Sequence, residues 1–341
     1  MTYQSLAHAT LGFISSPAGD IPRLDTGLQK KDIRAGWRAR WDIGRMDYAI
    51  APGLYAVGSP GSTSPVLVTA NYKLSFDSLR RELASISAWV LVLDCNGINV
   101  WCAAGKGTFG TDELVKRIDA TRLKEIVNHR ILILPQLSAP GLAAHEVIRR
   151  SGFRVLYGPV RAADLPEFLA AGNRATPAMR RVNFATKDRL TTVPVELMQA
   201  LKYMPYLLAA IVLLHLPRLR LASTAKDIVP LLAAIFSGTV LMPLLLPWLP
   251  GRAFSGKGVW TGLWLWLLCW LLLPWSLLEA LAWMLIIGAV SAFLALNYTG
   301  ASAITSLSGV KKEMRFAMPA IIVAAAAGII LRVILRFTLG G

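Results

Sequence analysis

The chain has 341 residues, 36 Lys+Arg against 20 Asp+Glu, only 16% charged residues, and a mean hydropathy of +0.50. That excludes a disordered chain and a purely soluble enzyme, and the length suggests about two structural units. The apolar excess is uneven. Residues 1–198 carry 25 basic and 17 acidic side chains, whereas residues 199–341 carry 11 and 3, so that 143 residues share only 14 charges. One half is suited to water and the other to lipid. The three cysteines, Cys95, Cys102 and Cys269, form no Cys-x-x-Cys pair and no even framework, which argues against a structural zinc site or a disulfide-stapled domain. Residues 1–44 read as a polar N-terminal extension. With no apolar signal-peptide core between Met1 and Arg40, the soluble half is expected in the cytoplasm.

From residue 45 to 198 the pattern alternates strand and helix. Short apolar runs at Pro65–Ala70, Ala88–Asp94, Ile131–Pro135 and Phe153–Tyr157 are strands buried on both faces. Helices are expected at Phe76–Ile86, Asp112–Asn128, around Leu142–Arg150 and around Ala163–Ala170. This predicts a Rossmann-like α/β domain with a mostly parallel sheet. Ligands of such sheets bind outside the carboxyl ends of the strands. Those ends make Thr69, Asn71, Gln136, Gly158 and Pro159 candidate binding residues. Residues 172–198 read as a strand and linker.

The second half, 199–341, is expected to be an all-α transmembrane domain. Uncharged runs cover Tyr203–Pro217, Ile228–Gly251, Gly258–Leu278, Ala280–Val310 and Phe316–Leu331, which predicts about five spans, with four as the fallback. With the soluble half inside, the inner loops hold Arg252, Lys257, Lys311, Lys312 and Arg315, against Arg218, Arg220 and Lys226 outside. Glu279 is expected at a hairpin end, and Arg332 and Arg336 are expected to reach the headgroups.

One segment stands apart. Gly97–Thr111 follows a buried strand and precedes a helix, where a connection normally needs two to six residues. Gly105, Gly107 and Gly110 spell the dinucleotide pattern G-x-G-x-x-G, but eleven residues separate Gly105 from Asp94 and no acidic strand end follows at the ribose distance. Nicotinamide and flavin binding are disfavoured. Asn99 or Asn96 can instead cap a short helix over Val100–Lys106. Cys102 then lies near its N-terminus with Lys106 one turn on, a setting that favours thiolate. A small buried cysteine filling a gap is the commoner fate of such a residue. The flanking Ala103, Ala104 and Gly105 argue against that, because so small a helix can press its backbone onto a flat ligand, with Trp101 as a stacking or sealing face. His8, His129, His145 and His215 share no metal-ligand spacing, and basic pairs without aromatic interleaving give no nucleic-acid signature.

At Asn99-Val-Trp-Cys-Ala-Ala-Gly-Lys106 the sequence resembles the corrinoid protein of the anaerobic mercury-methylation pair, the HgcA family. Ala51–Gly58, Pro65–Lys73 and Tyr157–Arg161 are similar to the corrinoid domain of the corrinoid/iron–sulfur protein of acetyl-CoA synthesis. The resemblance implies a cobalamin-type cofactor on the strand ends beneath a cap helix at 98–106. Asn99, Val100, Trp101, Cys102, Ala103, Ala104, Gly105 and Lys106 would contact it, and Cys102 would be the lower axial ligand of cobalt and the catalytic residue. It further implies a methyltransferase that sends methyl to mercuric ion, a methyl donor from folate-linked C1 metabolism, and a ferredoxin-like partner with two [4Fe–4S] clusters. Cys95 departs from the expected pattern, which raises the question of a second thiol. The rival expectations are a corrinoid methyl carrier with another acceptor and a membrane transporter or receptor with an α/β regulatory domain.

Overall fold

The computed structural model describes residues 3–215, 221–302, 304–305 and 307–338. The chain divides into two compact units, Met1–Ala39 with Ile43–Asn183 and Arg40–Asp42 with Phe184–Gly341.

The first unit is built on a seven-stranded sheet in the order β1-β2-β3-β5-β4-β6-β7. Its strands are β1 (Thr10–Ser16), β2 (Gly19–Leu24), β3 (Gly53–Val57), β4 (Val66–Ala70), β5 (Ala88–Leu93), β6 (Ile131–Leu134) and β7 (Arg154–Tyr157). β4 pairs in parallel with β5 and β6, and β6 with β7. These four strands therefore end on one edge. β3 runs antiparallel to β5. Every residue of β4 and β5 is buried, which is why their sequences are continuous apolar runs rather than alternating ones. The intervening helices are α2 (Lys73–Arg81), α3 (Val100–Lys106), α4 (Thr111–Ala120), α5 (Leu123–Ile126), α6 (Ala144–Ser151) and α7 (Leu165–Ala170). The single helix expected over 112–128 is broken where Arg122 takes a left-handed conformation at φ +50°.

The N-terminal residues are not a mere extension. β1 and β2 form an antiparallel pair that joins the sheet through β3, and α1 (Lys30–Arg40) is tied to α2 through an ionic cluster. Asp32 on α1 accepts from Lys73 Nζ at 2.6 Å and from Arg80 at 3.2 Å, and both cations also reach Asp77, at 2.6 and 3.1 Å. His8 Nε2 lies 2.8 Å from the same Asp32 carboxylate. Two acids and two permanent cations balance, as burial requires. Burial pushes the Asp32 carboxyl up, but hydrogen bonds from Lys73 and His8, the lysine charge and the Gln29 amide reverse this and hold it well below the usual carboxylate range.

The second unit is helical: α8 (Thr186–Leu201), α9 (Met204–His215), α10 (Leu221–Phe236), a π-helical turn at Ser237–Leu241, α11 (Met242–Leu245), α12 (Phe254–Leu272), α13 (Leu277–Asn297) and α14 (Leu307–Thr338). Of the strand and linker expected over 172–198, residues 172–185 are turns and irregular chain with no strand, residues 186–198 belong to helix α8, and the unit boundary falls after Asn183 rather than after Met198. Among the described residues three helical stretches are long and apolar enough to cross a membrane, Asp227–Leu245, Leu277–Gly300 and Ser308–Thr338, against about five expected. α9 has only 12 residues, and the end of its expected span, with Arg218 and Arg220, lies outside the described residues. α12 is a 19-residue helix, but glycine, lysine and four tryptophans make it less apolar.

Small residues let these helices approach closely. A Cβ added to Gly258 would lie 2.4 Å from the Ser291 carbonyl, and one on Gly238 would lie 2.6 Å from Leu294 Cβ. Glu279 sits in the first turn of α13, where it accepts the Ser276 N–H in a capping box, so the hairpin-end placement holds. Arg332 does not simply reach for headgroups. It donates to Asp227 through Nε at 3.1 Å and also to Glu279 through Nη1 at 3.1 Å.

Candidate functional site: a cap helix at the strand ends

The parallel strands β4, β5, β6 and β7 deliver their following loops to one edge, and the loop after β5 carries α3. The chain leaves β5 through Asp94 and turns at Asn96, which is left-handed at φ +54°, a region asparagine tolerates better than most residues. Asn71, one residue beyond β4 and fully buried, organises this turn. Its Oδ1 accepts the N–H of Cys95 at 2.9 Å and of Gly97 at 3.1 Å, while its Nδ2 donates to Asp94 Oδ1 at 3.1 Å. Glu113 accepts the Asp94 N–H at 2.9 Å and is itself paired with Arg117. Asn71 was expected to touch a ligand. Its side chain is instead engaged within the protein and holds the base of the loop.

Asn99 then caps α3, its Oδ1 accepting the Cys102 N–H at 2.9 Å, which satisfies one of the amides left over at a helix start. The helix stops at Gly107, whose φ of +81° closes the C-terminus and lets the next residues return hydrogen bonds to Ala103 and Ala104. The dinucleotide-like glycine spacing is thus spent on a helix stop and the start of α4.

The two faces of α3 differ. Val100, Ala103 and Ala104 are buried and belong to the core beneath the sheet edge, together with Phe109. They pack against the 3₁₀ turn Gln136–Gly141, and the approach is so close that a Cβ on Gly141 would fall 2.3 Å from the Phe109 carbonyl and 2.9 Å from Ala104 Cα. The other face carries Trp101 and Cys102, both half-buried, and Gly105 and Lys106, both exposed. Cys102 and Gly105 are three residues apart and share that face. A Cβ on Gly105 would meet nothing within 4 Å. Ala103 and Ala104, expected on the ligand side, are therefore the seat of the helix, and the open surface is Trp101, Cys102, Gly105 and Lys106. Gly141, which sets how deeply the helix sits, escaped the sequence reading because a Pro-Gly pair signals only a turn.

The remaining candidates line the same edge. Thr69 is buried near the end of β4. Gln136 Oε1 accepts from Arg180 at 3.0 Å, and its N–H points to the Pro159 carbonyl at 3.4 Å. Gly158 is buried and donates to the Leu134 carbonyl at 2.8 Å, with Pro159 buried beside it. Cys95 is wholly buried in the core, with Sγ 3.9 Å from the Thr108 carbonyl. Burial, reinforced by the Glu113 and Asp94 charges, pushes its thiol up to about 12. It packs within the core cluster.

The fold is an α/β domain of the class whose ligands, where they occur, bind outside the strand carboxyl ends. Residues 44–168 match the family model for the CO dehydrogenase/acetyl-CoA synthase delta subunit. The acetyl-CoA decarbonylase/synthase complex subunit gamma of Methanopyrus kandleri is 34% identical over 122 residues, covering 35% of this chain and 26% of the relative. Its counterpart in Archaeoglobus fulgidus is 33% identical over 127 residues, 37% of this chain and 27% of the relative. The counterpart in Methanothermobacter thermautotrophicus is 32% identical over 127 residues, with the same coverage. The chain thus spans about a quarter of the length of these relatives. The α/β domain is related to subunits of the acetyl-CoA decarbonylase/synthase complex, and β1, β2, α1 and all of the helical unit lie outside the family match.

Proposed function

We propose that the α/β unit binds a cobalamin-type corrinoid and that the chain is a corrinoid-dependent methyltransferase, making methylmercury from mercuric ion. The observation that carries this reading is the open face of α3, with one half-buried thiol beside a side-chain-free Gly105, seated at the edge where such sheets bind ligands. The residues fit a broad, flat group carrying a soft metal. One sulfur donor stands on a surface otherwise kept low, and a tryptophan borders it. A bound corrinoid supplies a cobalt centre that carries a methyl group and yields it to an electrophile.

The protein's own groups do the positioning. Cys102 Sγ would ligate the cobalt, and a soft, electron-rich donor suits delivery of methyl to a soft cation such as Hg(II). Asn99 fixes the helix start, Asn71 fixes the loop that leads into it, and Gly141 fixes its height. Trp101, Gly105 and Lys106 would bound the ring, with Thr69, Gln136, Gly158 and Pro159 at the strand ends. A ferredoxin-like partner with two [4Fe–4S] clusters would return the cofactor to its reduced state, and a folate-linked donor would supply the methyl group. The α/β unit would stay in the cytoplasm, held by a multi-pass membrane unit. The names of the relatives favour one other reading within the same chemistry, a membrane-held corrinoid methyl carrier with a different acceptor.

The test is a pair of variants. Cys102→Ala should keep the fold and much of the corrinoid but lose nearly all mercury methylation, with a cobalt spectrum shifted away from a sulfur-ligated form. Gly105→Leu, which places its bulk in open space rather than in the core, should lower corrinoid occupancy without unfolding the unit. Near wild-type methylation by Cys102→Ala would sink the axial-ligand mechanism. A cobalt-free wild-type protein from a corrinoid-replete host would sink the whole reading and favour a transporter or receptor. Wild-type corrinoid content with no mercury methylation in the presence of the partner would favour the carrier.

A further inference from the structure

Helix α1 is inserted the opposite way round from an ordinary amphipathic helix. Its inward face carries Asp32, Gly36 and Ala39, and Asp32 is only 3% exposed. Its outward face carries Ile33 and Trp37, the indole 62% exposed, and the following turn and 3₁₀ segment add Trp41, Ile43 and Met46, all exposed. The Asp32 cluster with Lys73, Asp77 and Arg80 attaches this inward face, together with the small side chains of Ala35 and Ala39 packed by Tyr48, Tyr72 and Leu74. The large apolar side chains are therefore left facing outward by construction, not by accident of a loop.

We infer that this face is a docking surface for an anionic lipid bilayer, lying in the headgroup region. Two features select lipid as the occupant. Charge is the first. At 100° per residue Ile33, Trp37 and Trp41 form the centre of the outward stripe, with Arg34 and Arg38 along one side and Arg40 on the other. Of the nearby acids, Asp32 is withdrawn into its buried cluster and Asp42 into an ion pair with Lys202, while Asp47 stays exposed beside Met46 and is outnumbered by Lys30, Lys31, Arg34, Arg38, Arg40 and Arg45. An apolar stripe with tryptophan at its centre and arginine along its flanks is the composition of an interfacial helix. The presence of membrane-length helices in the same chain is the second. A chain that also carries membrane-length helices meets a bilayer in any case. What the outward face adds is a second, reversible attachment that holds the α/β unit against the membrane surface. The inference stands whether or not the unit carries a corrinoid.

The experiment uses the full chain, reconstituted into phosphatidylcholine vesicles with and without added phosphatidylglycerol. Trp37 is replaced by the photo-crosslinking residue benzoylphenylalanine, and the same replacement at His145, 82% exposed on α6, is the control. Illumination should give lipid adducts at position 37 that exceed those at 145 at least fivefold and that grow with the anionic lipid. The double variant Arg34→Glu, Arg38→Glu should cut the adduct yield about fivefold or more, since each basic side chain near an anionic surface is worth about that factor. High salt should do the same. If the replacement at 37 disturbs folding, Met46, 69% exposed, is the second position for the probe. Lipid adducts at 37 and 46 no higher than at 145 overturn the inference. So does capture of a protein without lipid at these positions in intact cells.

Discussion

Both units bury charge, but to different ends. In the α/β unit Asp32, Asp77, Lys73 and Arg80 form a balanced set whose side chains are almost completely withdrawn from solvent. In the helical unit Arg332 pairs with two acids, Asp227 at the start of the α10 span and Glu279 at the start of α13, and the Glu279 side chain keeps 23% of its exposure. The first cluster works beside small apolar contacts on the inward face of a helix whose large apolar side chains point outward. The second clasps three already apolar helices at one end. A buried ion pair contributes little net stability over a well-packed apolar equivalent, but removing one partner is costly. The balanced, dry cluster should therefore be the more brittle of the two.

The largest expected effect follows from Lys73→Met, which leaves two buried carboxylates to Arg80, with only His8 beside it at Asp32. It should cost about 3–5 kcal/mol, read as a lowered unfolding midpoint of the α/β unit in the purified chain, with β1, β2 and α1 becoming protease-sensitive first. A loss below about 1 kcal/mol would mean that the cluster is not what holds α1. Arg332→Leu should cost less, about 2–3 kcal/mol, because water still reaches Glu279. Adding Asp227→Asn should recover part of that loss, a non-additivity expected of groups in one network. Simple additivity would show that the clasp is not a unit.

Acid separates the two clusters further. The Asp32 carboxyl is held below its ordinary value in the folded protein, so the stability it contributes is complete above about pH 4 and is lost as pH falls toward the folded value. Unfolding of the α/β unit should steepen below about pH 4, and this acid limb should be shallower in Lys73→Met. An unchanged limb would remove Asp32 from the account. The smallest effect concerns the cysteines at the site. In the native chain at pH 8, iodoacetamide should alkylate Cys102 and leave Cys95 untouched, since burial withholds its sulfur and raises its thiol to about 12. Equal labelling would reopen a role for Cys95.

Much of this was legible in the residues, and the misses have physical reasons. β4, β5 and β6 read clearly because strands covered on both faces must be apolar throughout, and the edge strand β7, only partly buried, reads from its apolar Val155-Leu156-Tyr157 run. β1 was missed because an edge strand is covered on one side only, and its half-exposed alternation, with Gly12 in its middle, resembles a polar tail. α1 was missed because its inward residue is an acid whose partners, Lys73 and Arg80, lie more than forty residues away. α8 reads as a linker because Thr and Pro194 mask a helix, and Arg332 reads as a snorkelling terminal charge because Asp227 lies 105 residues earlier.

At the candidate site the division is sharper. The existence, length and cap of α3 follow from local chemistry: an asparagine that accepts an amide, small residues that continue a turn, and a glycine that can turn left-handed to end it. Sequence alone also divides the chain into a water-soluble half and a lipid-suited half, because the solvent of a segment is set by its own composition. Which side of α3 is open is not local information. Ala103 and Ala104 are as small as Gly105, and only contact with the Phe109 carbonyl and Gly141 decides that the alanines turn inward and that Cys102 and Gly105 remain accessible. Asn71 likewise becomes a loop clamp only once β4 and β5 lie side by side and bring two backbone amides to its oxygen. Hydrogen bonds along one helix are written in neighbouring residues. Close packing and buried charge depend on which distant residues share a volume, and only the folded chain settles that.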